Sequence, residues 1–123
     1  MTSGMSYVDG FVIPLPKKNL RAYRAMAKAA KEVWMSLGAL QYVEAIADDV
    51  KPGKLTSFPQ SVKLKAGEIV VFSFITYKSK ADRNRINKLV MKDPRLAKFM
   101  NPATMPFDMK RMFFGGFKTI IES

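Results

Sequence analysis

The stretch that most constrains this chain is Ile69 to Tyr77, IVVFSFITY, bounded by Glu68 and Lys78. Only Ser73 and Thr76 interrupt its apolar character, and β-branched and aromatic side chains dominate, which favours an extended strand. Alternation sends Val70, Phe72 and Phe74 to one face and Val71, Ile75 and Tyr77 to the other, so both faces need cover from water. In a chain of 123 residues that points to the central strand of one sheet in a single domain, residues 1–123, with residues 1–5 expected to be disordered.

The other elements arrange themselves around that strand. Tyr7 to Ile13 reads as a first strand, ended by Pro14 and Pro16, with Tyr7, Asp9, Phe11 and Ile13 on one face. Lys17 to Leu37 has helical periodicity, Leu20, Tyr23, Ala27, Ala30, Trp34 and Leu37 forming the apolar stripe, and Gly38 suits the left-handed residue that ends a helix. Its opposite stripe is Lys17, Arg21, Arg24, Lys28 and Lys31, which ordinarily marks a solvated face. A second strand, Leu40 to Ala47, puts Leu40, Tyr42, Glu44 and Ile46 together. Lys51-Pro52-Gly53-Lys54 reads as a turn, and Leu55 to Gly67 as a binding loop or dimer contact containing an extended piece, Val62 to Lys65.

Beyond the central strand, Ser79 is a suitable N-cap for a helix that reaches about Lys92 and buries Ala81, Ile86, Leu89 and Val90. Asp93-Pro94 starts a further short helix, and Asn101 to Asp108 is irregular. The last strand spans Arg111 to Ile121, where Gly115-Gly116 indicates a bulge or a close backbone approach. The order strand, helix, strand, strand, helix, strand is that of a ferredoxin-like βαββαβ α+β domain, a four-stranded antiparallel sheet with both helices on one face. The other face is also apolar, so a second copy related by a two-fold axis is its expected cover, making a homodimer.

Several short motifs carry a resemblance. Tyr7-Val8-Asp9-Gly10-Phe11, Asp48-Asp49-Val50, Thr56-Ser57-Phe58-Pro59, Asp93-Pro94-Arg95, Met105-Pro106-Phe107-Asp108, Lys110-Arg111-Met112 and Gly115-Gly116-Phe117 closely resemble the YbaA-like family of uncharacterised bacterial proteins. The resemblance covers about Met5 to Ile121 and implies a ferredoxin-like subunit of the dimeric α/β-barrel superfamily, without an activity, substrate or catalytic residues. Met109, where the family tends to carry Gly, and Asn84, often acidic there, depart from the pattern.

Composition narrows the chemistry. The chain has no Cys and no His, which removes disulfides, thiolate nucleophiles, Ser-His-Asp arrangements and His- or Cys-based metal centres. No cofactor or metal is implied, and acid–base work falls to carboxylates, Lys or Tyr. The first residues lack the basic and apolar regions of a secretory leader, and no apolar run approaches the roughly 20 residues of a membrane span, so a cytoplasmic protein without membrane contact is expected.

Two readings of function follow. Lys plus Arg outnumber Asp plus Glu by 21 to 10, a net charge of +11, concentrated on the two helices. A basic helical surface for nucleic acid or for scaffolding is one reading, although no base-reading signature accompanies it. The favoured reading is a homodimer with a site for a small organic molecule, as a binding protein or cofactor-free enzyme, in or beside the barrel. Its candidate residues are Asp9, Glu44 and Ser73 on strands, Trp34, Tyr42 and Tyr77 as walls, and Phe58 as a lid or dimer anchor. Asp9 and Glu44 are the acid–base pair and Arg111 their counter-charge, with Asp108 also within local salt-bridge spacing of Arg111.

Overall fold

The computed structural model describes residues 5–123; of the segment expected to be disordered, residues 1–4 lie outside that range. The central strand is β3, Glu68–Tyr77, and the chain builds a four-stranded sheet around it. With β1 (Tyr7–Pro16), β2 (Gln41–Ile46) and β4 (Phe113–Lys118), the spatial order is β2-β3-β1-β4 and every pairing is antiparallel. This is the ferredoxin-like α+β topology, with β1 and β3 at the centre.

β1 runs three residues further than the sequence suggests, taking in Pro14 and Pro16. The reason is edge geometry. β1 pairs with β3 out to Pro16 but with β4 only as far as Val12. The Lys17 amide donates to Gly67 O at 2.8 Å, so odd-numbered N–H groups of this stretch point toward β3. The donor-less nitrogens of Pro14 and Pro16 therefore face the side where β4 has ended, where no ladder bond is lost. β4 is shorter than Arg111 to Ile121, because Arg111 is drawn into a turn.

Gly115 and Gly116 sit in unbroken one-to-one register with Gly10 and Asp9, so the expected bulge is absent and the close approach is present. A Cβ on Gly116 would fall 2.5 Å from the Tyr7 hydroxyl and 2.8 Å from Arg83 Nη2.

The helix α1, Leu20–Leu37, follows a 3-10 turn over Lys17–Asn19 and ends at Gly38, whose φ of 117° lets its N–H return to Trp34 and Met35 carbonyls. α2 is a short turn of helix, Phe58–Ser61, in the long connection; α3 is Lys80–Val90 and α4 is Pro94–Ala97. Ser79 caps α3, its Oγ accepting the Asp82 amide at 3.1 Å. Only Ile86 and Val90 of α3 are buried; Ala81 and Leu89 are exposed, because so short a helix touches the core along a single line. α1 and α3 cover one sheet face, packing Tyr23, Ala27, Ala30, Val33, Ile86 and Val90 over Ile13, Leu15, Val71, Ile75 and Tyr77.

The opposite face is covered at one end only. Val62 is buried against Val12 and Val70, and Phe58 meets Phe72 edge-on at 6.0 Å between ring centroids. Val62 and Lys63 form a turn, with Lys63 at φ 49°, and Leu64 and Lys65 are irregular, so the expected extended piece is absent and Val62 plugs into the sheet. The remainder of this face leaves Phe72, Phe113 and Phe117 43%, 46% and 63% exposed. Met109 does not adopt a positive φ, so the turn after Phe107-Asp108 has no need of glycine.

Candidate functional site

Two carboxylates stand on the helix-covered face, and their surroundings differ. Glu44 lies on the edge strand β2, in register with Ser73 of β3, where the helical layer gives out. Its Oε1 accepts the Tyr23 hydroxyl at 2.6 Å and its Oε2 the Tyr42 hydroxyl at 2.8 Å. A groove of about 610 Å³ opens between α1 and β2 above this trio, with apolar walls from Leu20, Ala27, Ile46 and Val71 and a lip of Arg24, Lys28 and Lys31.

Burial pushes the Glu44 carboxyl above its ordinary pKa, and the two phenol hydrogen bonds pull it only part of the way back. The phenols shift in the same direction: burial first, then the charge on Glu44, raise both Tyr23 and Tyr42. Both therefore stay protonated donors at neutral pH. Each Glu44 oxygen retains acceptor capacity beyond its one phenol, so the carboxylate can exchange a proton with a molecule seated in the groove.

Asp9 is sealed. It is 2% exposed, and Arg83 Nε lies 3.1 Å from each of its oxygens, with Arg83 Nη2 2.9 Å from Oδ1. Tyr77 Oη donates to Oδ2 at 3.0 Å, and Trp34 Nε1 donates to Tyr77 Oη at 3.1 Å and to Asn87 Oδ1 at 3.2 Å. Hydrogen bonding to Asp9 raises the Arg83 pKa, and burial followed by the Asp9 charge raises that of Tyr77. Arg83 also lies over the Tyr7 ring at 5.3 Å and donates from Nη1 to Asn84, one of the two positions that depart from the family pattern.

The expected pairing of Asp9 with Glu44 is therefore not made: each has its own donors, on different strands and from different helices. Arg111 is the counter-charge of neither. It ion-pairs with Glu68 at 2.6 Å and Asp108 at 2.9 Å, the Asp108 contact matching the local bridge read from spacing, and it donates to Val62 O and Lys63 O. That cluster latches the Val62 turn, and its hydrogen bonds hold the Glu68 and Asp108 carboxyls below their ordinary values.

Of the other candidates, Tyr42 lines the groove and Trp34 backs it, their rings 6.1 Å apart. Ser73 is buried beside Glu44 in the register, Tyr77 belongs to the Asp9 network, and Phe58 sits on the opposite face of the sheet. Sequence reasoning missed Tyr23, counted among core residues, Arg83, counted with a basic helix, and Asn87, which it did not single out. The available signal for Arg83 was Asp9 itself, since an acid on an apolar strand face requires a cation.

The basic surface also divides. Arg83, Arg85 and Arg95 are engaged by Asp9, Asp82 and Asp93, whereas among the described residues Arg24, Lys28 and Lys31 have no carboxylate within 4.0 Å. Among the described residues, no helix is long and apolar enough to cross a membrane, and no cluster of three or more Asp or Glu is placed to hold a metal.

These features define a ferredoxin-like α+β subunit with a carboxylate–phenol groove between its first helix and an edge strand. The chain belongs to the family described as "Protein of unknown function (DUF1428)", whose model matches residues 6–109. It is 48% identical over 118 residues to "Uncharacterized protein YbaA" of Escherichia coli (strain K12), covering 96% of this chain and 99% of that protein, and the same figures hold for the Shigella flexneri protein. Among solved structures it resembles a dimeric ferredoxin-like protein from an uncultured marine organism, with TM-score 0.60, 12% identity and 97% and 99% of the two chains covered. A nipsnap family protein with unknown function from Agrobacterium tumefaciens aligns with TM-score 0.58, 12% identity and 95% and 90% coverage. At that identity the two structures establish the fold alone.

Proposed function

We propose that the protein acts as a homodimer and binds a small organic molecule in the α1–β2 groove, with Glu44 as the acid–base group. The observation that carries this reading is the Glu44 carboxylate, held by two phenols at the floor of a groove open to solvent. Tyr23 and Tyr42 fix its orientation, and burial raises its affinity for a proton, which suits a group that must both take and return one. No cofactor is required for such a transfer. Trp34 supports Tyr42 from behind, while Asp9, Tyr77 and Arg83 hold the helices on the sheet.

Dimerisation through the face opposite the helices is supported by the exposed Phe72, Phe113 and Phe117 and by the description of the marine neighbour as dimeric. The alternative reading, a basic surface spanning both helices, draws less support because three of its arginines are already paired.

An NMR fragment screen on ¹⁵N-labelled protein tests the groove. Fragments are expected to shift the amides of Tyr23, Tyr42 and Glu44, and Glu44→Gln and Tyr23→Phe are expected to weaken them. Hits that cluster elsewhere and ignore both substitutions would refute it.

A further inference from the structure

The lip of the groove is chemically distinct from its floor. Arg24, Lys28 and Lys31 follow one another at four and three residues, so they lie along one side of α1 over about 10 Å. All three border the cavity, all three are exposed, and none has a carboxylate within 4.0 Å among the described residues. They are not ion-pair partners of Glu44, whose two hydrogen bonds come from the phenols of Tyr23 and Tyr42. The groove thus has a cationic outer end, an apolar middle of Leu20, Ala27, Ile46 and Val71, and a hydrogen-bonding inner end.

Resting on the groove as the ligand site, we infer that its ligand is an organic acid, its anionic head held at Arg24, Lys28 and Lys31 and its apolar body directed toward Glu44. Each alternative charge fails on the same geometry. A cationic ligand reaching Glu44 must pass three like charges, and a neutral one leaves those charges without a role. An anion entering head outward satisfies both ends, since its charge stays at the lip while a hydroxyl or acidic C–H at its inner end meets the carboxylate. Three of the five residues of the α1 basic stripe, Arg24, Lys28 and Lys31, thereby border the groove, while Lys17 and Arg21 do not.

Three probes of one shape and different charge test the inference: octanoate, octanamide and octylamine, titrated into ¹⁵N-labelled wild-type protein at about 0.15 M salt, where surface charges are largely screened beyond about 8 Å. Octanoate is expected to shift the amides of Ala25, Lys28 and Tyr42 and to bind about tenfold tighter than octanamide, the sum of two or three exposed ion pairs, with octylamine weakest. The double variant Lys28→Glu/Lys31→Glu is expected to lose at least about tenfold in octanoate affinity and keep that for octanamide, with an unchanged circular dichroism spectrum. Equal binding of octanoate and octanamide at the groove, or tightest binding of octylamine, overturns the anionic ligand and leaves the groove standing. Shifts confined to other surfaces overturn the groove as well. A short DNA duplex that displaces octanoate and still binds at this salt overturns the small-acid reading in favour of nucleic acid.

Discussion

Replacing Arg83 by Met removes the one cation, among the described residues, that is paired with the Asp9 carboxylate, a group 2% exposed. Asp9 would lose contacts of 3.1, 3.1 and 2.9 Å and keep a single good donor, Tyr77 Oη at 3.0 Å, since Asn87 Nδ2 stands off at 3.5 Å. Breaking a buried ion pair from one side costs about 3–5 kcal/mol. The Arg83 side chain is 20% exposed, so solvent reaches one edge of the pair and the lower end, about 3 kcal/mol, applies. The reciprocal change, Asp9→Asn, strands a guanidinium that can turn to water and to the Tyr7 ring, and should cost only about 1–2 kcal/mol. The double variant is expected to be less destabilised than the sum of the two single ones, because both remove the same interaction. Urea denaturation followed by Trp34 fluorescence, at one protein concentration throughout, measures all three. An Arg83→Met protein within about 1 kcal/mol of wild type, or one more stable than Asp9→Asn, would refute the account of a sealed, one-sided pair.

Three other outcomes follow from the same structure. Glu44 binds its proton more tightly in the folded chain, so its contribution to stability falls as pH rises from the ordinary 4.5 through the raised value; the stability of Glu44→Gln minus that of wild type should grow with pH across this window and level off above it, as read from urea curves at stepped pH. Gly116→Ala should lose about 1–3 kcal/mol in the same assay, since the new methyl falls 2.5 Å from the Tyr7 hydroxyl and 2.8 Å from a guanidinium that Asp9 holds in place. If the proposed dimer forms through the open sheet face, light scattering should find wild-type protein dimeric and Phe72→Glu combined with Phe117→Glu monomeric, since both phenylalanines are exposed on that face.

The elements whose pattern repeats along the chain were legible in the sequence. Ile69 to Tyr77 announces a central strand because alternation alone fixes which residues share a face, and Gly38 announces the end of α1 because few other residues accept its φ of 117°. The site was legible only in part. Tyr42 and Glu44 alternate onto one face of one strand, so they could be read together; Tyr23 reaches Glu44 from α1, and periodicity could show only that it faces inward. Arg83 and Arg111 mark the limit most clearly. Arg83 is one of many cations on a basic helix and Arg111 has several acids to choose from, and which acid each meets depends on how α3 and the turn before β4 settle on the sheet, with Asp9 and Glu68 as the respective partners. The prolines of β1 illustrate the same point, because whether they end a strand depends on where its neighbour stops.

The two inward carboxylates differ in the kind of donor each received, and that difference sets their electrostatics apart. A guanidinium carries a permanent charge and a rigid fork, so Arg83 holds the Asp9 side chain in one geometry and, through Tyr77, Trp34 and Asn87, ties α1 and α3 to β1 and β3. Phenols bring no charge. Tyr23 and Tyr42 orient Glu44 without fully compensating its burial, so its proton affinity rises. Position reinforces the contrast: Asp9 is on a central strand beneath the helices, and Glu44 on an edge strand where the helical layer ends. A chain without histidine or cysteine has no side chain that titrates near neutrality by residue type, and the Glu44 carboxyl is moved upward by its surroundings instead.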